Sequence, residues 1–279
     1  MARHTQVEIL LSERIINLPF VTDALGREKF HNDESQEQIT SDRPETYDIY
    51  PLKAVGDKVP VAAVDCSNVQ LGCGYGFNYE AARAAIITKS IAGDVHIMKI
   101  GPLVAKSPTN QGTILFALEA FAQSLAVDLV RDGIVLLDGV ALPEDVSYHV
   151  PRRTKIVGLS KNVPPQDKED KDFGFPSEPF VMVKRPFNSC LVRLSSGGFV
   201  LNGRVWSHES DDIPSTFSSL ARSDALDVGY PDSLKLAHMF SKILPAEVLS
   251  ARIVIMRKHG VKLLDPLDGR KLLLGSLWG

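Results

Sequence analysis

Cysteine is scarce: the 279 residues contain three, Cys66, Cys73 and Cys190. Three are too few for a disulfide framework, and the seven-residue step from Cys66 to Cys73 is not a zinc-knuckle spacing. A reducing compartment and no structural zinc are therefore expected. Long hydrophobic runs are also missing. No stretch approaches the roughly 18 apolar residues of a membrane span. The opening MARHTQVEILLSERI carries charges inside its apolar part and offers no small-residue cleavage site, so it does not read as a secretory leader. The expectation is a cytoplasmic protein without membrane contact. Charge of one sign is absent as well, with 31 Lys and Arg against 34 Asp and Glu for a net charge of −3. Any contact with a polyanion would rest on local basic patches or on a partner's charge. The glycine-rich GCGYG at 72–76 lacks both the G-x-G-x-x-G spacing and a Walker lysine, which excludes a nucleotide loop there. Ser67 and Ser160 lack a nucleophile-elbow context, which argues against triad chemistry. What is present is 44% hydrophobic residues, enough for a substantial core in one large domain or two small ones.

Residues 6–20 carry apolar positions at helical spacing and predict an amphipathic helix ending near Pro19, followed by a polar arm over 22–50. VPVAAVDCSN (59–68) predicts a buried strand closed by a turn. Strands are also expected over 74–88, where a helix competes, and over 95–105. The clearest helix covers 111–131, with Ile114, Leu115, Leu118, Phe121, Leu125 and Leu129 in periodic positions. GIVLLDGVAL (133–142) and TKIVGLSKN (154–162) predict further buried strands. A charged loop follows at 164–179, then a meander turning at 195–198, then a long helix from Asp232 past Pro245 to His259. This order defines an α/β (α+β) class with a mixed sheet flanked by helices. The division expected is an N-terminal helix and arm over 1–50 and one domain over 51–279.

Acids stand at the ends of apolar strands. Asp65 follows VPVAAV and Asp138 follows GIVLL. An unpaired carboxylate is costly to bury, so such a position needs a reason. Taken singly, each fits a turn equally well, because Asp-Gly and Asp-x-Ser satisfy their own backbone. Glu119 sits mid-helix beside Leu118, Ala120 and Phe121, with Leu115 and Gln123 four residues to either side, rather than among lysines. The order strand-Asp, two strands, helix-Glu, strand-Asp can gather three carboxylates at one end of a sheet, where divalent cations take oxygen ligands. Two such ions about 4 Å apart activate water and stabilise the leaving oxygen in phosphodiester cleavage.

This order resembles the ribonuclease H-like nucleases. GYPDSLKLAHMF resembles, more specifically, the Tyr-Pro…Ala-His signature of the NurA family, with eight residues from Tyr230 to His238. VAAVDCSN is similar to the family's Val-Asp-Gly-Ser strand, VLLDG to its Leu-Asp-Gly, and KIVGLSKN to its Gly-x-Ser-Lys strand. The resemblance covers roughly residues 55–245. It departs at Cys66, where the family usually has glycine, at Val140, where serine is frequent, and in the short connection between Asp138 and the LSK strand. The resemblance implies a manganese-dependent nuclease, with magnesium as the alternative ion and two ions per site. It implies 5′–3′ exonuclease and single-strand endonuclease activity, indifferent to sequence, in DNA end resection for repair. Single- and double-stranded DNA ends, a HerA-type hexameric ATPase and a homodimer are the partners it implies. Asp65, Glu119, Asp138 and His238 are then the metal ligands, with Tyr230 and Lys161 beside them.

A histidine on an apolar helix face is ordinarily a core residue, and it is the Tyr-Pro context that makes His238 a ligand or acid–base candidate. Tyr230, with an ordinary pKa of about 10, is suited to orienting a phosphate or water. Lys161 fits a snorkelling surface lysine and a phosphate contact equally well. The basic clusters Arg152-Arg153-Lys155, Lys184-Arg185 and Arg257-Lys258 fit solvated faces, or a grip on the DNA backbone if they border the carboxylates. The N-terminal stripe of Val7, Leu10, Leu11 and Ile15 serves either dimer contact or packing on its own domain. The rival classes are an actin-like ATPase, disfavoured by the short repeat-free chain, and an inactive scaffold for the ATPase.

Overall fold

The computed structural model describes residues 46–53, 59–74, 77–107, 113–139, 151, 153–161, 175–185, 189–206, 213–223, 229–260 and 262–263. The predicted N-terminal helix, most of the polar arm and the 164–174 part of the charged loop lie outside them. Nine strands form one sheet: β1 (Thr46–Pro51), β2 (Val61–Gly74), β3 (Phe77–Lys89), β4 (Val95–Ser107), β5 (Ile134–Asp138), β6 (Lys155–Ser160), β7 (Phe180–Arg185), β8 (Ser189–Arg193) and β9 (Leu201–Trp206). Among the described residues four helices accompany them: α1 (Thr113–Leu129), α2 (Ile213–Ser223), α3 (Asp232–Ser241) and α4 (Pro245–His259). The strand order is β1-β7-β8-β9-β6-β5-β2-β3-β4. β5 is parallel to both β2 and β6, and the remaining pairs are antiparallel. An antiparallel β2-β3-β4 meander, a helix, and then a parallel strand beside β2 make up the ribonuclease H-like core, extended on the far side of β6 by four antiparallel strands.

The unbroken apolar runs follow from burial on both faces. Ala62, Val64, Val135, Leu137 and Ile156 pack under α1, while Val61, Ala63, Leu136, Val157 and Leu159 pack under α2 and α3. The α1 stripe that meets the sheet is Leu118, Ala122 and Ala126, all 0% exposed, and its small side chains bring the helix close to the strands. Leu129, expected in that stripe, is 46% exposed.

Three expectations are corrected. Residues 46–51 pair with β7 as an edge strand instead of belonging to a loose arm. β2 does not turn at Ser67-Asn68 but continues against β3 to Gly74, because ladder pairing supplies the backbone partners a turn would have given. Over 77–89 the expected strand is present and the competing helix is not. The long C-terminal helix is two helices. Leu244 is extended (φ −75°, ψ 150°), as a residue before proline prefers, and Pro245 opens α4. The 195–198 turn is present between β8 and β9, with Gly197 at φ 69° and Gly198 N–H donating to the Ser195 carbonyl at 3.0 Å.

One ion pair fixes the α3–α4 corner to the sheet. Arg83, 7% exposed on β3, holds Glu247 at 2.6 Å and donates to the Lys242 carbonyl at 3.0 Å. Glu247 also accepts the Leu244 N–H at 2.8 Å, which satisfies a free donor at the helix start. The Arg83 hydrogen bond, with help from the Leu244 N–H and nearby Lys99, holds the Glu247 carboxyl below its ordinary pKa against a smaller opposing effect of burial. Breaking a fully buried pair costs about 3–5 kcal/mol. The Glu247 side chain is 36% exposed, so screening reduces the expected loss in Glu247→Ala to about 1–2 kcal/mol. A depressed carboxylate contributes above its unfolded pKa and loses that contribution as pH falls through the folded one. Urea denaturation should therefore separate wild type from Glu247→Ala at pH 7, and the gap should close in acid.

Candidate metal centre

The ladder between β2 and β5 ends at Val64–Leu137. The next residues in register are Asp65 and Asp138, so two carboxylates stand side by side on the α3 face, about one strand spacing of 4.8 Å apart. Among the described residues β2 goes on beyond them with β3 alone, which leaves a slot in the sheet. Gly139 takes φ 117°, a region that side chains with a Cβ avoid, and its N–H donates to the Leu159 carbonyl at 2.8 Å, which continues the ladder to β6.

From α3, His238 Nδ1 lies 3.1 Å from Asp65 Oδ2, and Ser241 Oγ donates to the same oxygen at 2.6 Å. Ser241 is 0% exposed. Its carbonyl accepts from Ser67 Oγ at 2.5 Å, so the end of α3 is tied to β2 two residues beyond Asp65. Tyr230, buried just before α3, donates its phenol to Asp138 Oδ1 at 3.1 Å. Burial, the Asp138 charge and that hydrogen bond push the phenol's pKa far up, so it remains a donor. Its partner is a carboxylate, where a phosphate or water was expected. Lys161, immediately after β6, places Nζ 4.3 Å from the centre of the Tyr230 ring, a cation–π contact at the rim of the slot.

Glu119 reaches the slot from the opposite face. It lines a pocket of about 100 Å³ with Asp65, Cys66, Gln123 and Asp138. Burial, then the charges of Asp65 and Asp138, raise its carboxyl pKa above the ordinary value. Burial first, then the charges of Glu119 and Asp65, drive the Cys66 thiol well above its ordinary range, so a neutral thiol lines the wall.

Ligand atoms of Asp65, Asp138 and His238 all lie within 4.8 Å of one another. Oxygen ligands on opposite sides of a small divalent ion are about 4.2 Å apart, so a slight closure would seat one ion among them. The donor set, two carboxylates and an imidazole, suits a borderline ion such as manganese. Glu119 is outside this trio and faces it across the slot.

The basic clusters are not gathered at the centre. Arg153 and Lys155 sit at the start of β6 beside Ile134, whereas Asp138 and Lys161 are at the other ends of β5 and β6, with Asp138 about 13 Å along the strand from the Ile134–Lys155 pair. Lys184 lies on β7, four strand spacings or about 19 Å from β5, 5.9 Å from the Tyr47 ring centre. Arg185 ends that strand and its side chain is outside the described part, as is the whole of Arg152. Arg257 and Lys258 are exposed in the last turn of α4. Ser241 and Gln123 carried no motif. Gln123 did carry one signal, a polar residue four positions after Glu119 in an otherwise apolar helix.

The sheet order, with acids on β2, α1 and β5, places the chain in the ribonuclease H-like class of folds. No family model and no curated protein matches the sequence. Among solved structures, the NurA nuclease from Sulfolobus solfataricus aligns with a TM-score of 0.52 at 13% identity, over 76% of this chain and 88% of that one. A NurA bound to dAMP and manganese aligns with a TM-score of 0.48 at 9% identity, over 92% and 96%. Ciona intestinalis endonuclease V in complex with DNA aligns with a TM-score of 0.39 at 13% identity, over 67% and 86%. The chain has a NurA-like fold. Among the described residues no helix is long and apolar enough to cross a membrane.

Proposed function

We propose that the chain is a metal-dependent, sequence-indifferent DNA nuclease. The observation that carries this reading is the convergence of Asp65, Asp138 and His238 on one point, with Glu119 facing them from the other side of the sheet. Asp65, Asp138 and His238 would hold manganese, with magnesium as a weaker substitute, and Glu119 would serve a second ion. Bound there, the metal supplies a Lewis acid that activates water and neutralises charge on the phosphate. The chain's own residues prepare that position. Ser241 and Tyr230 each donate to one carboxylate oxygen, which fixes both aspartates and leaves their other oxygens for ligation. Lys161 brings a positive charge to the rim, where a phosphate would approach.

The substrate proposed is a DNA end, single- or double-stranded, processed by 5′–3′ exonuclease and single-strand endonuclease cleavage in end resection. With net charge −3 and the basic clusters Arg153-Lys155 and Lys184 away from the slot, intrinsic affinity is low. A HerA-type ATPase ring in the cytoplasm would supply the DNA end by local concentration. The proposed assembly is a homodimer in which the segment before β1 provides contacts for a nuclease domain that begins with that strand. End-labelled linear DNA of several unrelated sequences tests the reading. Cleavage is expected with manganese, is expected to vanish in EDTA and in Asp65→Ala, and should vary little with sequence. Equal cleavage by wild type and Asp65→Ala would overturn it.

A further inference from the structure

The pocket between α1 and the slot contains a polar atom that the site described above does not use. Gln123 is 2% exposed. Its Nε2 donates to Glu119 Oε1 at 3.2 Å, one turn back on the same face of α1. Its Oε1 is buried and, among the described residues, has no hydrogen-bond partner. Leaving such an oxygen unsatisfied is costly, and buried amides ordinarily find a partner. Gln123 lines the same 100 Å³ pocket as Asp65, Cys66, Glu119 and Asp138. Three of those neighbours are carboxylates, and none of the residues lining the pocket is cationic. An uncharged oxygen on a side chain that shares a pocket with three acids needs a donor or a cation. Only a cation also offsets the charge of the acids. Amide and carboxylate oxygens are the hard donors that manganese and magnesium accept.

We propose that Gln123 Oε1 is an oxygen ligand of a second divalent cation, held on the α1 side of the sheet between Glu119 and the two aspartates. This position is separate from the one framed by His238 on the α3 side. The Gln123 amide has two roles in it: its N–H orients Glu119, and its oxygen coordinates. The spacing of Glu119 and Gln123 presents a carboxylate and an amide from one helix face, so the second ion would be seated by α1 and the first by α3. The inference rests on the metal-centre reading proposed above and deepens it.

Manganese alone, added to the metal-free full-length chain without DNA, provides the test. Bound ions are counted by the loss of the free Mn²⁺ electron paramagnetic resonance signal, and affinities are taken from calorimetric titration. Wild type is expected to bind two ions per chain. Gln123→Leu, close in volume and lacking the oxygen, should retain one ion with unchanged affinity and bind the second at least tenfold more weakly. Gln123→Glu should bind the second ion more tightly than wild type, and it decides the matter if the leucine variant fails to fold. Two ions at wild-type affinities in Gln123→Leu, or unchanged or weaker second-ion binding in Gln123→Glu, would overturn the assignment and leave the oxygen to a water molecule. Asp65→Asn and Asp138→Asn separate this failure from a deeper one. If both bind manganese as wild type does, it is the metal-centre reading itself that fails.

Discussion

Asp138→Asn is expected to reduce manganese-dependent cleavage of linear DNA by about a thousandfold or more, the scale on which charge-stabilising groups act in such sites. The fold should survive. Asparagine keeps an oxygen that can accept the Tyr230 phenol, which lies 3.1 Å away in the wild type, and it follows β5 with the same volume. What is lost is the negative charge in register with Asp65. Without metal those two carboxylates repel, so the variant should melt no lower than wild type in EDTA. Adding manganese should then raise the melting temperature of wild type much more than that of the variant, because an ion binding only the folded state stabilises it by mass action. Cleavage rates and paired melting curves, each with and without manganese, give the result. A variant that loses activity by unfolding would melt lower in EDTA, and one that cleaves at near wild-type rate would remove Asp138 from the centre.

The residues of this centre differ in how openly the sequence displayed them. Asp65 and Asp138 were visible because a charge directly after a core strand conflicts with burial, and such conflicts concentrate at sites. Their side-by-side register could not be read, since it depends on β5 inserting in parallel beside β2 after an intervening meander and helix. Ser241 looked like any polar residue at a helix end. Its importance comes from an approach to Asp65 across 176 positions of chain. Arg83 and Glu247 are likewise 164 positions apart, and no local pattern pairs them. Helix α2 went unnoticed for a different reason. Its buried positions Ile213, Thr216, Phe217 and Leu220 have helical spacing, but serines between them obscure the pattern. Strand β1 hid in polar composition because an edge strand needs only a partly apolar sequence, with Ile49 49% exposed. The basic clusters left a solvated face and a grip on DNA both open, because strand direction, which sends Arg153 and Lys155 to the end of β6 away from Asp138, cannot be read from neighbouring residues.

Glu119→Gln should stabilise the protein when metal is absent and weaken it, relative to wild type, when metal is present. In the metal-free fold the carboxyl is raised above its ordinary pKa, first by burial and then by the charges of Asp65 and Asp138. A carboxyl raised on folding binds its proton more tightly in the folded chain than in the unfolded one. Its contribution to stability is complete below the unfolded pKa of about 4.5 and is lost as pH rises through the folded value. Metal-free wild type should accordingly lose stability from this residue between acid and neutral pH. The glutamine variant has no proton to lose there and still accepts from the Gln123 amide through its own oxygen. At pH 7 in EDTA it should melt on the order of 2–4 °C higher, the shift that about 1 kcal/mol produces in a chain of this size. Near pH 4 the two curves should converge. Manganese reverses the order, because the charge that is a burden in the empty slot becomes a ligand in the filled one. Melting curves from pH 4 to 8, in EDTA and in manganese, measure both halves. Were Glu119→Gln to melt below wild type at pH 7 in EDTA, Glu119 would be a structural residue and the pocket on the α1 side would lose its reason for holding three acids.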